Sequence, residues 1–400
     1  MTINVSRRDM LRMVPAAAAA ATIGPALAAA PVEAQQRTNK LAQVDVPKAP
    51  RPSKEIRGIW IHPERYFSAD GTEGRKQVRA MVERYARANF NLILPWTVSG
   101  YLQALTTASY QKEHPTAAWD SLGVLIEESA KVGMDVDVWY SYTDYRDPKS
   151  PEFDPALGGD LAWSARRFDE VAPDPKTGKI SPPRYDTICP QYYKGRAWQQ
   201  KMLASVFDRY PKLHGFHIEE PGYTTRNYCL CDLCRSLFKT IYGRELVESM
   251  ETQQAEDLRT IGPNAFFDEL RAQLAKTHPK LTLSANGGPD WRHDRLRGRE
   301  WGRWGMSGWL NYYASQVYEQ TTPRFRERLA ITINDLNVEC PVVAGIALDW
   351  SEGKNTIDEV LRQIEVSREL GAPGVALFHG AAFKDDDLAK LKAGPFSKPA

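Results

Sequence analysis

The chain has 400 residues, of which 42% are hydrophobic and 26% are charged, and its formal net charge at pH 7 is +2. This nearly balanced charge, with no basic stripe, gives no indication of a nucleic-acid partner, and the length suits one large domain better than a small module. Many of the eleven tryptophans and seventeen tyrosines are expected in the core, but such an excess of aromatic side chains also suits stacking on sugar rings.

The N-terminal segment has the pattern of an export signal. Arg7 and Arg8 precede an alanine-rich, weakly apolar run that ends in small residues suited to cleavage. The paired arginines indicate the twin-arginine export machinery as a partner and predict a signal peptide over 1–30 and a periplasmic or secreted protein. A membrane anchor is less compatible, because Pro15 and Pro25 interrupt the run, so we expect no stable membrane insertion after cleavage.

Residues 31–53, rich in Pro, Ala, Gln and Lys, are predicted to form a linker. Short apolar runs then alternate with helical patterns, which is typical of βα units in a parallel sheet. The predicted strands cover residues 57–63, 91–96, 135–142, 213–221, 281–288, 309–318, 342–350 and 374–380. The predicted helices cover residues 77–88, 119–132, 196–210, 234–242, 264–277, 299–304, 323–337 and 356–370.

This order predicts an α/β fold, a (β/α)8 or TIM barrel, as a single domain over residues 54–390 with a tail over 391–400. An open doubly wound sheet is the weaker alternative, because no Gly-rich phosphate loop follows the first strand. The segment after the third strand, residues 143–195, is unusually long. We interpret it as a wall or lid of a cleft. The alternative is an insertion that has no role in the site.

The ends of the predicted strands carry polar and aromatic side chains, and the active sites of such barrels lie at these ends. The candidate substrate-binding residues are His62, Trp96, Tyr140, Tyr142, Asn286, Gln316, Tyr318, Trp350 and His379. The aromatic ones, with Trp291, could stack on pyranose faces, whereas Trp60 lies mid-strand and is expected in the core. For the two histidines we favour hydroxyl binding, with a structural role as the alternative. A catalytic metal is less compatible, because no metal-binding spacing accompanies them.

Glu219 and Glu220 end the fourth predicted strand, and Asp349 ends the seventh, across the barrel mouth. Glycoside hydrolysis needs two carboxyl groups, one protonated and one ionised. We therefore predict Glu220 as the acid/base, Asp349 as its partner and Glu219 as a lining residue that raises the proton affinity of Glu220. Glu352 competes with Asp349 for the partner role. Because neighbouring strand residues point opposite ways, one glutamate should face the helix layer unless a bulge intervenes.

Cys229, Cys231 and Cys234 form a C-x-C-x-x-C triplet, a poor spacing for disulfides but a good one for thiolate ligands of Zn²⁺. We predict Cys189 as the fourth ligand and Cys340 as an ordinary thiol. Four protein ligands leave no position for water, so the zinc would be structural. One disulfide plus free thiols is the alternative for an exported protein.

The stretch from Cys189-Pro190 through Glu220 to "YCLCDLCRSLFKTIYG" resembles the zinc-containing family 42 glycoside hydrolases, largely β-galactosidases. This resemblance implies zinc on Cys189 and the triplet, and an acid/base at Glu220, nine residues before Cys229. "RGIWI" in the first strand and "RGREWGRWGMSGWLNYYASQVY" before and through the sixth resemble the family-10-like glycosyl hydrolases of bacteria. Together the two resemblances cover most of the barrel.

Two residues depart from the family 42 pattern. Glu219 stands where that family has an Asn that binds the sugar's 2-hydroxyl, and Asp349 stands where it has a nucleophilic Glu. The sequence thus predicts an exported glycoside hydrolase acting on an oligo- or polysaccharide, with a structural zinc site. A barrel that binds carbohydrate without hydrolysing it is the alternative, and a metal-dependent hydrolase acting on other bonds is a second.

Overall fold

A computed structural model describes residues 48–97, 119–142, 161–174, 176–183, 188–336 and 339–400. The predicted signal peptide lies outside these residues, as do most of the predicted linker and residues 143–160 and 184–187 of the predicted lid. The described residues all belong to one compact unit, Pro47–Ala400. None of the helices in this part of the chain combines the length and the apolar character needed to cross a membrane.

Eight parallel strands close into a barrel, which confirms the predicted fold. The barrel strands are β1 (Ile56–Ile61), β2 (Leu92–Thr97), β3 (Asp135–Ser141), β4 (Gly215–Glu219), β5 (Thr282–Gly287), β6 (Tyr312–Gln316), β7 (Val342–Ala347) and β10 (Gly374–Phe378). Each pairs with the next in this order, and β10 closes the barrel onto β1 with Gly374 opposite Ile56. Between β7 and β10, β8 (Asp349–Trp350) and β9 (Gly353–Lys354) form a separate antiparallel hairpin.

Helices connect the barrel strands. They are α1 (Gly71–Arg87), α2 (Ser121–Lys131), α3 (Tyr193–Arg209), α4 (Asp232–Tyr242), α5 (Gln253–Thr277), α6 (Trp291–Arg295), α7 (Trp301–Met306), α8 (Thr322–Leu336), α9 (Ile357–Glu369) and α10 (Asp385–Ala393). Side chains cap several of them; Asp70, for example, accepts a hydrogen bond from the backbone of Glu73. Helix α5 begins well before the predicted helix, because Thr252 caps it and Pro263 lies within it without ending it.

Strand residues alternate between two apolar layers, as the two-residue period of a strand requires. Ile59, Val138 and Phe216 belong to the large layer between the strands and the helices. Trp60 and Trp139 belong to a smaller cluster that fills the barrel interior. This alternation decides which strand-end side chains reach the barrel mouth.

The segment after β4 forms a third apolar cluster around the four cysteines. The described part of the predicted lid lies against it. The backbone N–H of Leu230 donates to the carbonyl of Arg166 at 2.8 Å, and that of Phe168 donates to the carbonyl of Asn227 at 3.0 Å. The long segment after β3 is therefore joined to the cysteine segment in this region.

The predicted seventh strand continued to Trp350, but β7 ends at Ala347. The backbone N–H of Leu348 donates to the carbonyl of Phe378, and the side chain of Asn355 donates to the carbonyl of Ala347 at 2.9 Å. These hydrogen bonds replace the pairing between barrel strands, so the strand ends there. Asp349 and Trp350 consequently lie in the β8–β9 hairpin rather than in a barrel strand.

Candidate active site

Glu219, the last residue of β4, places its carboxyl group at the barrel mouth. The same face of β4 carries His217, whose ring lies 5.7 Å from the ring of Trp60 in the barrel interior. Oε2 of Glu219 accepts hydrogen bonds from Nε1 of Trp139 and, at 2.5 Å, from Nδ2 of Asn286. Trp139 lies on β3 and Asn286 on β5, so the two neighbouring strands hold the carboxyl group between them.

The pKa of Glu219 is raised to about 7. Burial is the largest cause and the charge of Glu220 adds to it, whereas the hydrogen bonds from Asn286 and Trp139 and the charge of Arg299 oppose it. A large share of this carboxyl group is therefore protonated near neutral pH. That is the state in which a carboxyl group can act as a general acid.

Glu220 has a φ of +38°, in the left-handed region that residues other than glycine rarely adopt. Its backbone N–H donates to Oδ1 of Asn286 at 2.9 Å, and the same amide group donates to Glu219 through Nδ2. Asn286 thus fixes both glutamates. The side chain of Glu220 forms an ion pair with Arg299, whose Nη2 lies 2.8 Å from Oε2.

Arg299 is a buried residue that joins Glu220 to the scaffold, with a side chain 2% exposed. Its guanidinium also donates to Oδ1 of Asp294 at 3.4 Å and to the carbonyl of Tyr223 at 3.3 Å. Burial raises the pKa of Asp294 to about 6, and the charge of Arg299 opposes that shift. The sequence analysis did not identify Arg299, since nothing in the motif "RGREWGRWG" distinguishes it from its neighbours.

An aromatic wall, formed by His62, Trp96, Trp139, Tyr318 and Phe378, lines the mouth beside Glu219. The ring of His62 lies 5.7 Å from that of Trp96 and 5.3 Å from that of Trp139. Trp96 and Trp139 are 4.5 Å apart. Phe378 lies 6.3 Å from Trp139 and stacks on Tyr318 at 5.5 Å. Such a wall presents apolar faces of the kind on which sugar rings stack.

The β8–β9 hairpin contributes to the same mouth. The ring of Trp350 lies 6.1 Å from that of Tyr318. The carboxylate of Asp349 lies 3.7 Å from Nζ of Lys354. Burial lowers the pKa of His379, and the charge of Asp349 opposes that shift, so Asp349 lies near enough to His379 for the two groups to interact.

The structure brings most of the predicted site residues together. The connected set contains His62, Trp96, Glu219, Glu220, Asn286, Tyr318, Trp350 and His379. Gln316 ends β6 and is half-buried there. Trp291 begins α6, in the segment after β5, and is 39% exposed. Sequence reasoning missed Trp139 and Phe378.

Tyr140 and Tyr142 do not reach the mouth, contrary to expectation. Both are buried in the layer between strands and helices. The hydroxyl of Tyr140 accepts a hydrogen bond from Gln199 at 3.1 Å, and Tyr142 lies 4.8 Å from Phe266. Alternation along β3 directs Trp139 inward in their place. Which alternate residues of β3 face the barrel interior depends on how β3 pairs with its neighbouring strands. The local sequence of β3 does not show this pairing.

The four cysteines Cys189, Cys229, Cys231 and Cys234 form a second site, as predicted. All four are buried, and their Sγ atoms lie within 4.8 Å of one another. Cys231 is the N-cap residue of α4 and Cys234 lies in its first turn, while Cys189 precedes α3. The fifth cysteine, Cys340, is buried elsewhere, and all five are free thiols.

This cluster fits a tetrahedral metal ion. Zinc–sulfur bonds of about 2.3 Å place the sulfurs about 3.8 Å apart, and Sγ of Cys189 already lies 3.5 Å from Sγ of Cys234. The cluster can therefore hold a metal through four sulfur ligands.

No protein-family model matches the sequence, and a search of curated proteins found no match. Among solved structures, the chain is similar to the glycoside hydrolase domain of PgaB (BpsB) from Bordetella bronchiseptica, with a TM-score of 0.60 and 11% identity over 85% of this chain and 97% of that one. It is also similar to the endo-β-1,4-mannanase from Thermotoga petrophila, with a TM-score of 0.49 and 10% identity over 82% of this chain and 68% of that one.

The α-L-fucosidase isoenzyme 2 from Paenibacillus thiaminolyticus is similar with a TM-score of 0.49 and 15% identity, over 84% of this chain and 48% of that one. At these identities the likeness establishes the fold alone. The chain is therefore a TIM-barrel protein with a half-buried carboxyl group at the mouth of the barrel and a four-cysteine cluster beside it.

Proposed function

We propose that this protein is an exported glycoside hydrolase that cleaves glycosidic bonds of an oligo- or polysaccharide. The observation that carries the proposal is Glu219, a carboxyl group with a pKa of about 7 at an aromatic-lined barrel mouth. The PgaB domain, which has a similar fold, is described as a glycoside hydrolase domain and supports the same class. The paired Arg7 and Arg8 support export.

In this proposal Glu219, rather than Glu220, is the general acid that protonates the leaving oxygen. Glu220 forms the ion pair with Arg299 and raises the pKa of Glu219 through its negative charge. Asp349, on the hairpin that follows β7, is the second carboxyl group, which attacks the sugar or activates water. The aromatic wall positions the sugar rings between the two carboxyl groups.

The metal that we assign to the four-cysteine cluster is zinc, in a structural role. Four thiolates with no open position suit Zn²⁺ and leave no site for a bound water. The ion would fix the segment between β4 and α4, which begins at the catalytic glutamates. Because the twin-arginine route carries folded proteins, zinc could enter in the reducing cytoplasm before export.

The test uses the mature protein, its Glu219→Gln variant and, as control, Glu365→Gln on the exposed side of α9. We expect the parent and the control to hydrolyse at least one member of a panel of aryl glycosides and bacterial or plant oligosaccharides. Loss of a general acid should lower the rate of Glu219→Gln about 10²- to 10⁴-fold, with fold and zinc content unchanged.

Other outcomes identify the alternatives. Equal turnover by parent and Glu219→Gln would remove Glu219 from the chemistry. Saturable sugar binding without turnover would favour a carbohydrate-binding protein. Activity that chelators abolish while the fold stays intact would favour a metal-dependent hydrolase.

A further inference from the structure

Among the side chains that the structure describes, which do not include that of Glu64, no carboxylate forms an ion pair with either of two arginines at the barrel mouth. Arg65 lies in the turn after β1, and Arg297 lies between α6 and α7, after β5. Both turns follow the C-terminal ends of barrel strands and therefore lie on the active-site side. Elsewhere in the described chain arginines commonly pair with carboxylates, as Arg84 does with Asp385.

Each of these two arginines is oriented by a histidine instead. Nη1 of Arg65 lies 3.3 Å from Nε2 of His379, and Nη1 of Arg297 lies 3.3 Å from Nδ1 of His293. Because a guanidinium can only donate, the facing ring nitrogen must be the acceptor of a neutral imidazole. The pKa of both histidines is lowered, with burial as the largest cause and the neighbouring arginine as the next.

A neutral acceptor fixes the direction of a guanidinium without cancelling its charge. The carboxylates near Arg297, those of Glu220 and Asp294, pair with Arg299. The carboxylate near His379 is that of Asp349, and it lies beside Lys354. Arg65 and Arg297 thus keep positive charge that is available to a ligand.

The two arginines follow strands on the two sides of β4 in the barrel, Arg297 after β5 and Arg65 after β1. On one side the contacts run from Glu219 through Trp139 to His62, and then to His379 beside Arg65. On the other side Glu219 interacts with Glu220, whose charge in turn acts on Arg297. Arg65 and Arg297 are therefore the cationic groups that a glycan extending from Glu219 toward β1 and toward β5 would approach.

We propose that the substrate is an anionic glycan, and that Arg65 and Arg297 bind the carboxylates of its hexuronic acid residues on the two sides of Glu219. The planar guanidinium fork matches a carboxylate through two parallel hydrogen bonds. This inference rests on the proposed function, because it names the substrate class of the same cleft.

The test is binding by calorimetry to acidic oligosaccharides of galacturonate, glucuronate and mannuronate. Each is compared with the same oligosaccharide after reduction of its carboxylates to primary alcohols, which keeps the sugar and removes the charge. The proteins are the parent, Arg65→Gln, Arg297→Gln and the control Arg87→Gln. Arg87 is the last residue of α1, on a surface far from the mouth, and its substitution removes the same charge.

We expect at least one acidic oligosaccharide to bind about tenfold or more tightly than its reduced form, and added salt to weaken that binding. Arg65→Gln and Arg297→Gln should each lose about tenfold in affinity for the acidic form alone, whereas Arg87→Gln should match the parent. Equal affinity for acidic and reduced forms, or no acidic form bound, would overturn the inference.

Failure of this inference differs from failure of the proposed function. Hydrolysis of neutral glycosides that depends on Glu219 but not on Arg65 or Arg297 would leave a glycosidase with no anionic substrate. Charge-dependent binding that both arginine variants lose, without any turnover, would leave an anionic-glycan site with no hydrolase.

Discussion

At the scale of single residues, Asn286 and Arg299 make different contacts with two adjacent glutamates. Asn286 holds both glutamates, through Nδ2 on the side chain of Glu219 and Oδ1 on the backbone of Glu220. Arg299 pairs with Glu220 only. The same residue type at consecutive positions is therefore kept in two environments.

The charge of Glu220 should tune the acidity of Glu219. A general acid must be protonated, so activity should be high below the pKa of Glu219, about 7, and should fall as the pH rises through it. Glu220→Gln removes a charge that raises this pKa, and it takes from Arg299, which lowers it, the nearer of its two carboxylate partners. Both changes lower the pKa, so the alkaline limb of the profile of kcat/KM against pH should move to lower pH.

The control for this prediction is Glu365→Gln, which removes one negative charge far from the mouth. Its alkaline limb should coincide with that of the parent. A limb that stays in place in Glu220→Gln, or moves to higher pH, would mean that the limb does not report Glu219.

At the scale of secondary-structure elements, the approach of β4 to β5 depends on a glycine. A Cβ at Gly215 would lie 2.3 Å from the carbonyl oxygen of Thr282 and 2.8 Å from Oδ1 of Asp137. Gly215→Ala should therefore lower the free energy of unfolding by about 1 to 3 kcal/mol through overpacking. At Gly302 in α7 a Cβ meets only ordinary contacts with Trp291, at 3.6 Å and beyond, so Gly302→Ala should leave stability unchanged or raise it. Urea unfolding of both variants measures the difference.

The cysteine segment should be stabilised by zinc rather than by a disulfide. A site whose Kd lies a thousandfold below the free zinc concentration stabilises the folded state by about 4 kcal/mol. We expect one zinc per chain by elemental analysis, and a chelator should lower the melting temperature while a reductant has no effect. Cys234→Ser should lose the zinc, whereas Cys340→Ser should keep it. Sensitivity to the reductant alone would show that a disulfide is present.

How far the sequence predicts the site differs from element to element. The cysteine cluster was predictable, because three of its members are close in sequence and Cys189 lies in a loop before the preceding helix, whereas Cys340 precedes the seventh strand at the opposite end of the barrel. His62, Trp96 and Asn286 were predictable from their positions at strand ends. The burial of Tyr140 and Tyr142 was not predictable, because a shift of one residue along a strand moves a side chain from the barrel mouth to the helix layer.

The hairpin position of Asp349 and the role of Arg299 depend on contacts distant in sequence. Asp349 leaves β7 through bonds that involve Phe378 and Asn355, and Arg299 acquires its role from the ion pair with Glu220. The local sequence patterns indicate neither the hairpin position of Asp349 nor the ion pair of Arg299. The φ of Glu220 has the same origin, since it cannot be read from the neighbouring residues.

At the scale of the whole molecule, the order of the elements was sufficient to predict a closed barrel. Eight apolar runs with helical connections are compatible with few other folds. The structure confirms the closed barrel. The barrel then determines which end carries the site. The side-chain chemistry at that end, rather than the fold, carries the functional proposal.

The export proposal predicts a dependence on the paired arginines. Replacing Arg7 and Arg8 together by lysine should leave an uncleaved precursor in the cytoplasm, whereas Arg12→Lys should be exported and cleaved like the parent. Cell fractionation with mass determination of the product distinguishes the two. Export of the double variant in mature form would contradict a twin-arginine signal.

The most direct test of the central claim is the dependence of the Glu219→Gln variant on the leaving group. We would measure kcat/KM of the parent and the variant on a phenyl glycoside and on the 2,4-dinitrophenyl glycoside of the same sugar, which departs without a proton. If Glu219 is the general acid, the variant loses about 10²- to 10⁴-fold on the phenyl glycoside and little on the dinitrophenyl glycoside. Equal losses on both substrates, or no loss on either, would contradict the account.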